Sequence, residues 1–368
     1  MDLGLILVFA LSFALAALLG ALARPIARRI GFLDRPDLER KQGRAPVPYG
    51  GGAAMLLAFG AALALLWALR RAAVGGAPDL LENQLPDFGG LGRRELLRLG
   101  LIALGGLAVF TVGLVDDARR VHPGVKFGVQ IAAALMLAAG GVRVTAFIPG
   151  AAASYALTVL WVVGITNAFN LLDNMDGLSA GTAAIAAFIF AMVAGGTGQP
   201  ALAALLAGLA GAAAGFLVHN FCPARLYMGD AGSYWLGFTL SALTAEATFY
   251  RYGDSSPAML ALGVPLLIMA VPIFDTASVL FIRLREHRPL WVGDRSHLSH
   301  RLVALGLSVR EAVLAIYFLT LACALGALFL KELPVHLGVL VLAQAASILT
   351  VVAVLEGLGR GRPKEPPR

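Results

Sequence analysis

Long apolar runs alternate with short polar stretches along the whole chain of 368 residues. The first run, from Leu3 to Ala23, contains no charged residue, and a membrane-spanning helix needs about 20 mostly apolar residues. Strands of a membrane barrel would instead alternate apolar and polar positions. The pattern predicts an all-α integral membrane protein, a polytopic bundle of ten to eleven helices. The predicted spans are residues 3–23, 50–69, 99–115, 128–140, 154–172, 178–194, 200–221, 233–249, 257–282, 311–330 and 334–356.

The composition excludes an ordinary soluble globule. Hydrophobic residues make up 59% of the chain and charged residues 14%, against about 25% charged residues in soluble domains. We expect one membrane domain over residues 1–358 and a disordered cytoplasmic tail over residues 359–368, which are rich in proline and charge. The two cysteines, Cys222 and Cys323, suggest neither a disulfide framework nor a metal pair.

The formal net charge of +7 has a simple explanation in the distribution of Lys and Arg. Most of these residues fall in alternate loops and in the tail, on the side that the positive-inside rule assigns to the cytoplasm. The bias predicts an external N-terminus, a cytoplasmic C-terminus and a first helix that is not cleaved. We therefore expect a multi-pass protein of the plasma (inner) membrane and no nucleic-acid partner.

The few acidic residues are concentrated at one end of the predicted spans. A transport site would instead place ionisable residues halfway along spans and would use paired, interrupted helices. The arrangement predicts a site on the cytoplasmic face, at the membrane–water interface. The polar residues concerned are Asp116 and Asp117 after the third span, Asp173 and Asp176 after the fifth, Asp230 after the seventh, and His297 and His300 after the ninth.

Adjacent carboxylates at Asp116 and Asp117 repel each other, by roughly 2.4 kcal/mol at about 7 Å and an effective dielectric constant near 20. A cation is therefore expected nearby, either Mg²⁺ or a basic side chain such as Lys126. The alternative is a solvated helix end paired with Arg119 and Arg120.

A polar stripe follows at steps of three residues, which places neighbouring members on one helix face. It could be a polar network that holds helices together, but it ends in two carboxylates, which such a network does not require. The stripe consists of Asn167, Asn170, Asp173 and Asp176.

Asp230 lies in a glycine-flanked turn before the next apolar run. Either Asp230 or Ser233 could be an ordinary helix cap. Asp230 could equally be a ligand of Mg²⁺, which usually takes one or two carboxylates together with phosphates and water. Tyr227 offers an aromatic face for a base, although tyrosine is also common at membrane interfaces.

The loop from Arg283 to Arg301 is rich in arginine and histidine without a matching set of acids. Such a loop favours phosphate binding, with an anionic-lipid contact as the alternative. Imidazole suits Mg²⁺ poorly, so phosphate contact is the preferred role for His297 and His300. Asp275, within the ninth span, is expected to be functional, and the sequence does not identify its partner.

The chain contains four polar segments in the order GLVDDARR, NAFNLLDNMDGLSAG, PARLYMGDAGS and DRSHLSHRL. In this order and on this topology they resemble the polyprenyl-phosphate N-acetylhexosamine-1-phosphate transferases. The resemblance extends from about Phe32 to Ser308. The histidine loop is most similar to the bacterial undecaprenyl-phosphate N-acetylglucosamine-1-phosphate transferases and their teichoic-acid-initiating relatives. It is less similar to the phospho-N-acetylmuramoyl-pentapeptide transferases.

The resemblance implies roles for individual residues. Mg²⁺, for which Mn²⁺ could substitute, would be held by Asp230, Asn170 and Asp117. The implied catalytic residues are Asp116, Asp117, Asp230 and His297, with Asp116 and Asp117 orienting or deprotonating the lipid phosphate. The implied substrate-binding residues are Lys126, Asn170, Asp173, Asp176, Tyr227, Arg295, His300, Arg301 and Arg44.

Two departures from the family pattern stand out. The loop usually reads His-x-His-His, and Ser299 replaces the middle histidine here. Arg44 stands where relatives often carry lysine.

The resemblance implies transfer of N-acetylhexosamine 1-phosphate, with GlcNAc-1-phosphate favoured, from a UDP-sugar to undecaprenyl phosphate, with release of UMP. This reaction would start cell-envelope glycan synthesis. Direct displacement and a phospho-aspartate intermediate both remain open, as does a homodimer. The alternatives are the muramoyl-pentapeptide reaction and, from another class, a transporter or lipid flippase.

Overall fold

A computed structural model describes residues 3–34, 46–73, 88, 90–144, 150–247, 249, 258–289 and 296–360. Helices dominate the described chain, and the fold is that of an all-α polytopic membrane protein, as predicted. The helices are α1 (Leu3–Arg29), α2 (Gly51–Ala73), α3 (Arg93–Ala118), α4 (Pro123–Ala139), α5 (Ala151–Leu172), α6 (Leu178–Gly196), α7 (Pro200–Asn220), α8 (Gly229–Glu246), α9 (Ala258–Ile268), α10 (Ala270–Arg285), α11 (Leu298–Ala304), α12 (Val309–Phe329) and α13 (Val335–Arg360). Two short strands, β1 (Leu33–Asp34) and β2 (Val47–Pro48), pair antiparallel.

The predicted count of eleven spans is not confirmed. Within the described residues, eight helices are long and apolar enough to cross a membrane, and α9 with α10, bent by 73°, would make a ninth. Helix α4 has 17 residues, about 25 Å, which is shorter than a hydrocarbon core of about 30 Å. Helix α8 is too polar to count as a membrane-spanning helix by the same criterion. Its polar residues are tolerated because every residue from Ala231 to Ala245 is buried.

The chain divides into two compact units, Met1–Phe249 and Tyr250–Arg368. In the first unit α8 lies among α2, α3 and α5, while α1 packs along α7. Glycines allow the closest approaches to α8. A Cβ atom at Gly113 would lie 2.5 Å from the backbone nitrogen of Ala231, and one at Gly52 would lie 2.5 Å from Cα of Gly232. The ends of α2 and α3 therefore come against the first turn of α8.

The second unit contains helices α9 to α13. Helices α9, α10 and α11 all pack against α12. Helix α12 begins with a capping box, in which the Glu311 N–H donates to Ser308 Oγ at 3.3 Å and the Ser308 N–H donates to Glu311 Oε2 at 2.7 Å. The sequence predicted only a loop where α11 forms. Helix α13 continues to Arg360, and the rest of the predicted tail lies outside the described residues.

Candidate functional site

Lys126 joins two carboxylates from different helices in the first unit. Its Nζ atom lies 2.9 Å from Asp116 Oδ2 and 3.2 Å from Asp230 Oδ2. Asp116 stands in the last turn of α3, and its other oxygen accepts the Val121 N–H at 2.6 Å. Pro123 then opens α4 in the first-turn position that proline favours. This tight connection brings Lys126, ten residues along the chain, back to Asp116, and it explains the spacing seen in the sequence.

Asp230 is held from a third direction by Asn170, in the last turn of α5. The Asn170 Nδ2 group donates to Asp230 Oδ1 and to Ser233 Oγ, each at 2.9 Å. The Tyr234 ring lies below the Lys126 ammonium, with 5.8 Å from Nζ to the ring centroid. Tyr234 was not among the predicted site residues. Its position four residues after Asp230, on the same helix face, was the signal that could have identified it.

Asp117 anchors the N-terminus of α8. Its Oδ1 accepts the Asp230 N–H at 2.7 Å, and its Oδ2 accepts the Ala231 N–H at 3.1 Å. These N–H groups have no partner within the helix, and a carboxylate there also interacts favourably with the helix dipole. Gly229 adopts φ +70°, and a Cβ atom there would collide with the Asp117 carboxylate. Asp117 therefore fixes the backbone that carries Asp230.

Two loops beside this cluster are hydrogen-bonded to each other. The Asp176 carboxylate accepts the Ala224 N–H at 2.9 Å. Asn220 Oδ1 accepts the Gly177 N–H, and its Nδ2 donates to the Leu226 carbonyl, both at 3.0 Å. Asn220, which is buried, was not among the predicted site residues. The loop after α5 and the loop before α8 thus form one connected surface.

Tyr227 belongs to this surface and ties it to the first loop. Its N–H donates to the Pro48 carbonyl, and its own carbonyl accepts the Gly51 N–H, both at 2.9 Å. The Tyr227 ring centroid lies 6.4 Å from that of Tyr49. Burial, together with the neighbouring Asp34 carboxylate, raises the pKa of Tyr49 well above its usual value. The Tyr49 hydroxyl consequently stays protonated and donates to Asp34 at 3.2 Å.

A polar pair extends the cluster one helical turn along α4 and α5. Asn167 Nδ2 donates to Gln130 Oε1 at 2.5 Å and to the Val163 carbonyl at 2.8 Å. Gln130 follows Lys126 by four residues, and Asn167 precedes Asn170 by three, so each pair shares a helix face. The alternative proposed for the polar stripe, an interhelical network, is confirmed for Asn167. The next member of the stripe, Asn170, donates to Asp230 instead.

The second unit contains a separate polar group. Asp275, completely buried in α10, accepts the Leu298 N–H on Oδ1 at 2.6 Å, and its Oδ2 lies 2.9 Å from His297 Nδ1. Arg301 donates to Ser278 Oγ at 2.8 Å. The partner of Asp275 that the sequence left unidentified is therefore the start of α11. His300 lies in the first turn of α11, three residues after the N-cap residue His297, and is half-buried.

The structure thus brings together five of the predicted site residues in the first unit, and places three others in the second. The five are Asp116, Asp117, Lys126, Asn170 and Asp230; the three are His297, His300 and Arg301. Asp173 terminates α5, and its N–H donates to the Asn170 carbonyl at 3.2 Å. Arg44 and Arg295 lie outside the described residues.

The donor set of the first unit suits a hard divalent cation that is shared with a phosphate ligand. By formal count, three carboxylates and one ammonium leave two negative charges in excess, and the Lys126 ammonium bridges Asp116 and Asp230. Among the described residues, no three His, Cys, Asp or Glu side chains form a complete metal-binding group. Mg²⁺ needs no such group, because it commonly takes one or two carboxylates and completes its shell with phosphates and water.

Comparison with known proteins assigns the family. Glycosyl transferase family 4 matches residues 99–248, from α3 to just beyond α8. The decaprenyl-phosphate N-acetylglucosaminephosphotransferase of Mycobacterium tuberculosis is 32% identical over 89% of this chain and 84% of its own length. The chain belongs to glycosyl transferase family 4.

Two further relatives of this family 4 transferase span most of its length. The probable undecaprenyl-phosphate N-acetylglucosaminyl 1-phosphate transferase of Bacillus subtilis is 29% identical over 96% of this chain and 92% of its own. The undecaprenyl-phosphate alpha-N-acetylglucosaminyl 1-phosphate transferase of Yersinia pestis is 28% identical over 87% of this chain and 81% of its own length. The prediction of a membrane-bound glycosyl-1-phosphate transferase is confirmed.

Proposed function

We propose that this protein transfers N-acetylglucosamine 1-phosphate from UDP-N-acetylglucosamine to a polyprenyl phosphate, such as undecaprenyl phosphate, and releases UMP. The names of the relatives describe N-acetylglucosamine phosphate transfer to undecaprenyl or decaprenyl phosphate. The observation that carries the proposal is the Lys126 ammonium between Asp116 and Asp230, because a mixed cluster of this kind suits the meeting of several phosphate groups.

In the proposed reaction an oxygen of the lipid phosphate attacks the β-phosphorus of the UDP-sugar. A new P–O bond forms, the P–O bond to UMP breaks, and UMP takes the electron pair. Catalysis of such a step is mostly positioning and charge stabilisation. Little base strength is needed, because the second pKa of a phosphate is near 6 and the nucleophile is already largely anionic at pH 7.

The contacts of Asp117 support a positioning role in this step. Both of its oxygens already accept backbone N–H groups of α8, so the carboxylate is committed to holding the turn that carries Asp230. Lys126 contributes positive charge to the incoming phosphates, and Asp116 orients Lys126 through the 2.9 Å contact.

We propose Mg²⁺ as the cofactor, held principally by Asp230, with Asn170 and Asp117 as the other predicted ligands. When bound, the ion would neutralise the pyrophosphate of the donor and the leaving UMP. The Asn170 amide nitrogen now faces Asp230, so ligation through its oxygen requires the amide to turn over. Asp173, Asp176 and Tyr227 are proposed to position the nucleotide.

We place the reaction on the cytoplasmic face of the plasma membrane. The prenyl chain must stay in lipid while the UDP-sugar stays in water, so the site has to lie where both can reach it. The cluster fits such a position, since it is assembled from the ends of helices and the loops beside them.

The experiment uses the full chain, purified and reconstituted in nanodiscs with undecaprenyl phosphate, UDP-N-acetylglucosamine and Mg²⁺. We expect UMP release that is abolished by EDTA, restored by Mg²⁺, and at least about tenfold lower in Lys126→Met. The matched variant Lys331→Met makes the same change after α12 and should keep turnover within about twofold of the wild type.

Competing outcomes are distinguished in the same preparation. Preferential UMP release from UDP-N-acetylmuramoyl-pentapeptide would replace the proposed donor by that of the muramoyl enzymes. Absence of UMP with every UDP-sugar, combined with movement of lipid phosphate across vesicles, would establish a transporter or flippase and would contradict the proposal.

A further inference from the structure

A buried carboxylate in the second unit directs both of its oxygens to the start of α11. The Asp275 side chain is 1% exposed, and the His297 side chain that it contacts is 4% exposed. Oδ1 accepts the Leu298 N–H at 2.6 Å and Oδ2 lies 2.9 Å from His297 Nδ1. The Arg301 guanidinium is 3.9 Å from Oδ1. A carboxylate removed from water needs such partners, and these three come from one short segment.

The direction of the hydrogen bond fixes the imidazole. An ionised carboxylate can only accept, so an ionised Asp275 requires the proton of this contact to be on His297 Nδ1. Nε2 is then the ring nitrogen left for another polar group, and the ring plane is set by the Nδ1 contact. Because the adjacent Leu298 N–H is held by the same carboxylate, both the ring and its backbone are fixed to α10.

A second contact one turn further along α10 repeats this pattern. Ser278 follows Asp275 by three residues, and Arg301 follows His297 by four, so each pair lies on one helix face. The Arg301 guanidinium donates to Ser278 Oγ at 2.8 Å, and the Ser278 hydroxyl donates to the Asp275 carbonyl at 2.9 Å. Helix α10 thus holds two side chains of α11 that the resemblance places at the substrate.

We infer that Asp275 is a positioning residue for the transfer reaction: its carboxylate holds His297 with the proton on Nδ1 and with Nε2 available to the phosphate groups of the substrates, while Ser278 steadies Arg301. The inference rests on the proposed function and on the substrate contact that the resemblance implies for His297. Asp275 itself does not touch the reacting atoms and acts through His297.

A double-mutant cycle tests this dependence, because a residue that acts only through another loses its effect when the other is removed. The variants are Asp275→Asn, His297→Asn and the double variant. Asparagine at position 297 can still donate from an amide nitrogen near the place of Nδ1 but has nothing at the place of Nε2. Glu246→Gln is the matched control, since it neutralises another paired carboxylate, 2.9 Å from Arg98, outside both clusters.

We expect Asp275→Asn to lower kcat/KM at least about tenfold in the wild-type background, as general acid–base and orienting groups do, and less than about threefold in the His297→Asn background. Glu246→Gln should stay within about twofold of the wild type. An equal loss from Asp275→Asn in both backgrounds, or no loss in the wild type, would overturn the inference.

A spectroscopic measurement on the unmutated protein keeps the inference testable even if Asp275→Asn does not fold. In ¹⁵N-histidine-labelled protein, the signal that disappears in His297→Asn should show a protonated Nδ1. A neutral ring protonated only on Nε2 would contradict the inference. If the wild type releases no UMP, the proposed function fails, whereas this measurement still reports on the Asp275 contact alone.

Discussion

Replacing Asp117 by asparagine tests whether the first turn of α8 must be anchored for turnover. The carboxylate accepts two backbone N–H groups, at 2.7 and 3.1 Å. Hydrogen bonds to a charged group contribute about 1.5–3 kcal/mol each. Asparagine keeps one acceptor oxygen and turns an amide N–H towards the other donor, so one bond is lost and the other is weakened.

The expected cost is therefore about 2–4 kcal/mol at the turn that carries Asp230. Since about 1.4 kcal/mol corresponds to a factor of ten in rate, we expect turnover to fall at least about tenfold. We also expect a lower melting temperature, because the same bonds hold α3 to α8. The assay is UMP release in nanodiscs at equal protein concentration, with thermal unfolding measured on the same samples.

The matched control is Glu95→Gln at the opposite end of the same helix. Glu95 also accepts a backbone N–H, that of Gly92 at 2.8 Å, but it is exposed and far from the cluster in sequence. It should leave turnover within about twofold of the wild type. Turnover of Asp117→Asn equally close to the wild type would refute the anchoring role.

Three further predictions follow from the same contacts. Asp230→Asn should lower turnover at least about tenfold, because it removes charge beside Lys126 and the proposed Mg²⁺, and circular dichroism should show an unchanged melting temperature. Gly229→Ala should lower the melting temperature, because φ is +70° and the new Cβ would meet the Asp117 carboxylate, whereas Gly100→Ala on α3 meets nothing within 4 Å and should not. Ser299→His should reduce stability by about 1–3 kcal/mol through overpacking, because Ser299 is 1% exposed; a denaturation series that shows a more stable, more active variant would contradict this.

Several members of the cluster in the first unit could be predicted because their spacing is local. Lys126 and Asp116 are joined through one tight connection, and Asn170 stands on a stripe that the helical repeat makes visible. The structural task of Asp117 could not be predicted in this way. It depends on Gly113 and Gly229 allowing α3 and α8 to approach, and a sequence lists glycines without saying what lies against them.

The span count shows the same limit. Hydropathy locates apolar runs, but it does not report whether a helix faces lipid or protein. Helix α8 contains more polar residues than a lipid-facing span would, and it tolerates them because its residues are buried within the first unit. The apolar run over residues 257–282 forms two helices with a 73° bend between them.

The sequence by itself determined a helical membrane protein, the order of its apolar segments, and the residue types that can handle phosphate and a divalent cation, because these follow from composition and from the helical repeat. Only the tertiary structure decided which of those residues share a contact. The Asp117 bonds to α8 span 113 and 114 positions, and the Asp275 contacts with α11 span 22 and 23. Contacts at such separations depend on how helices pack and bend, which no local pattern encodes.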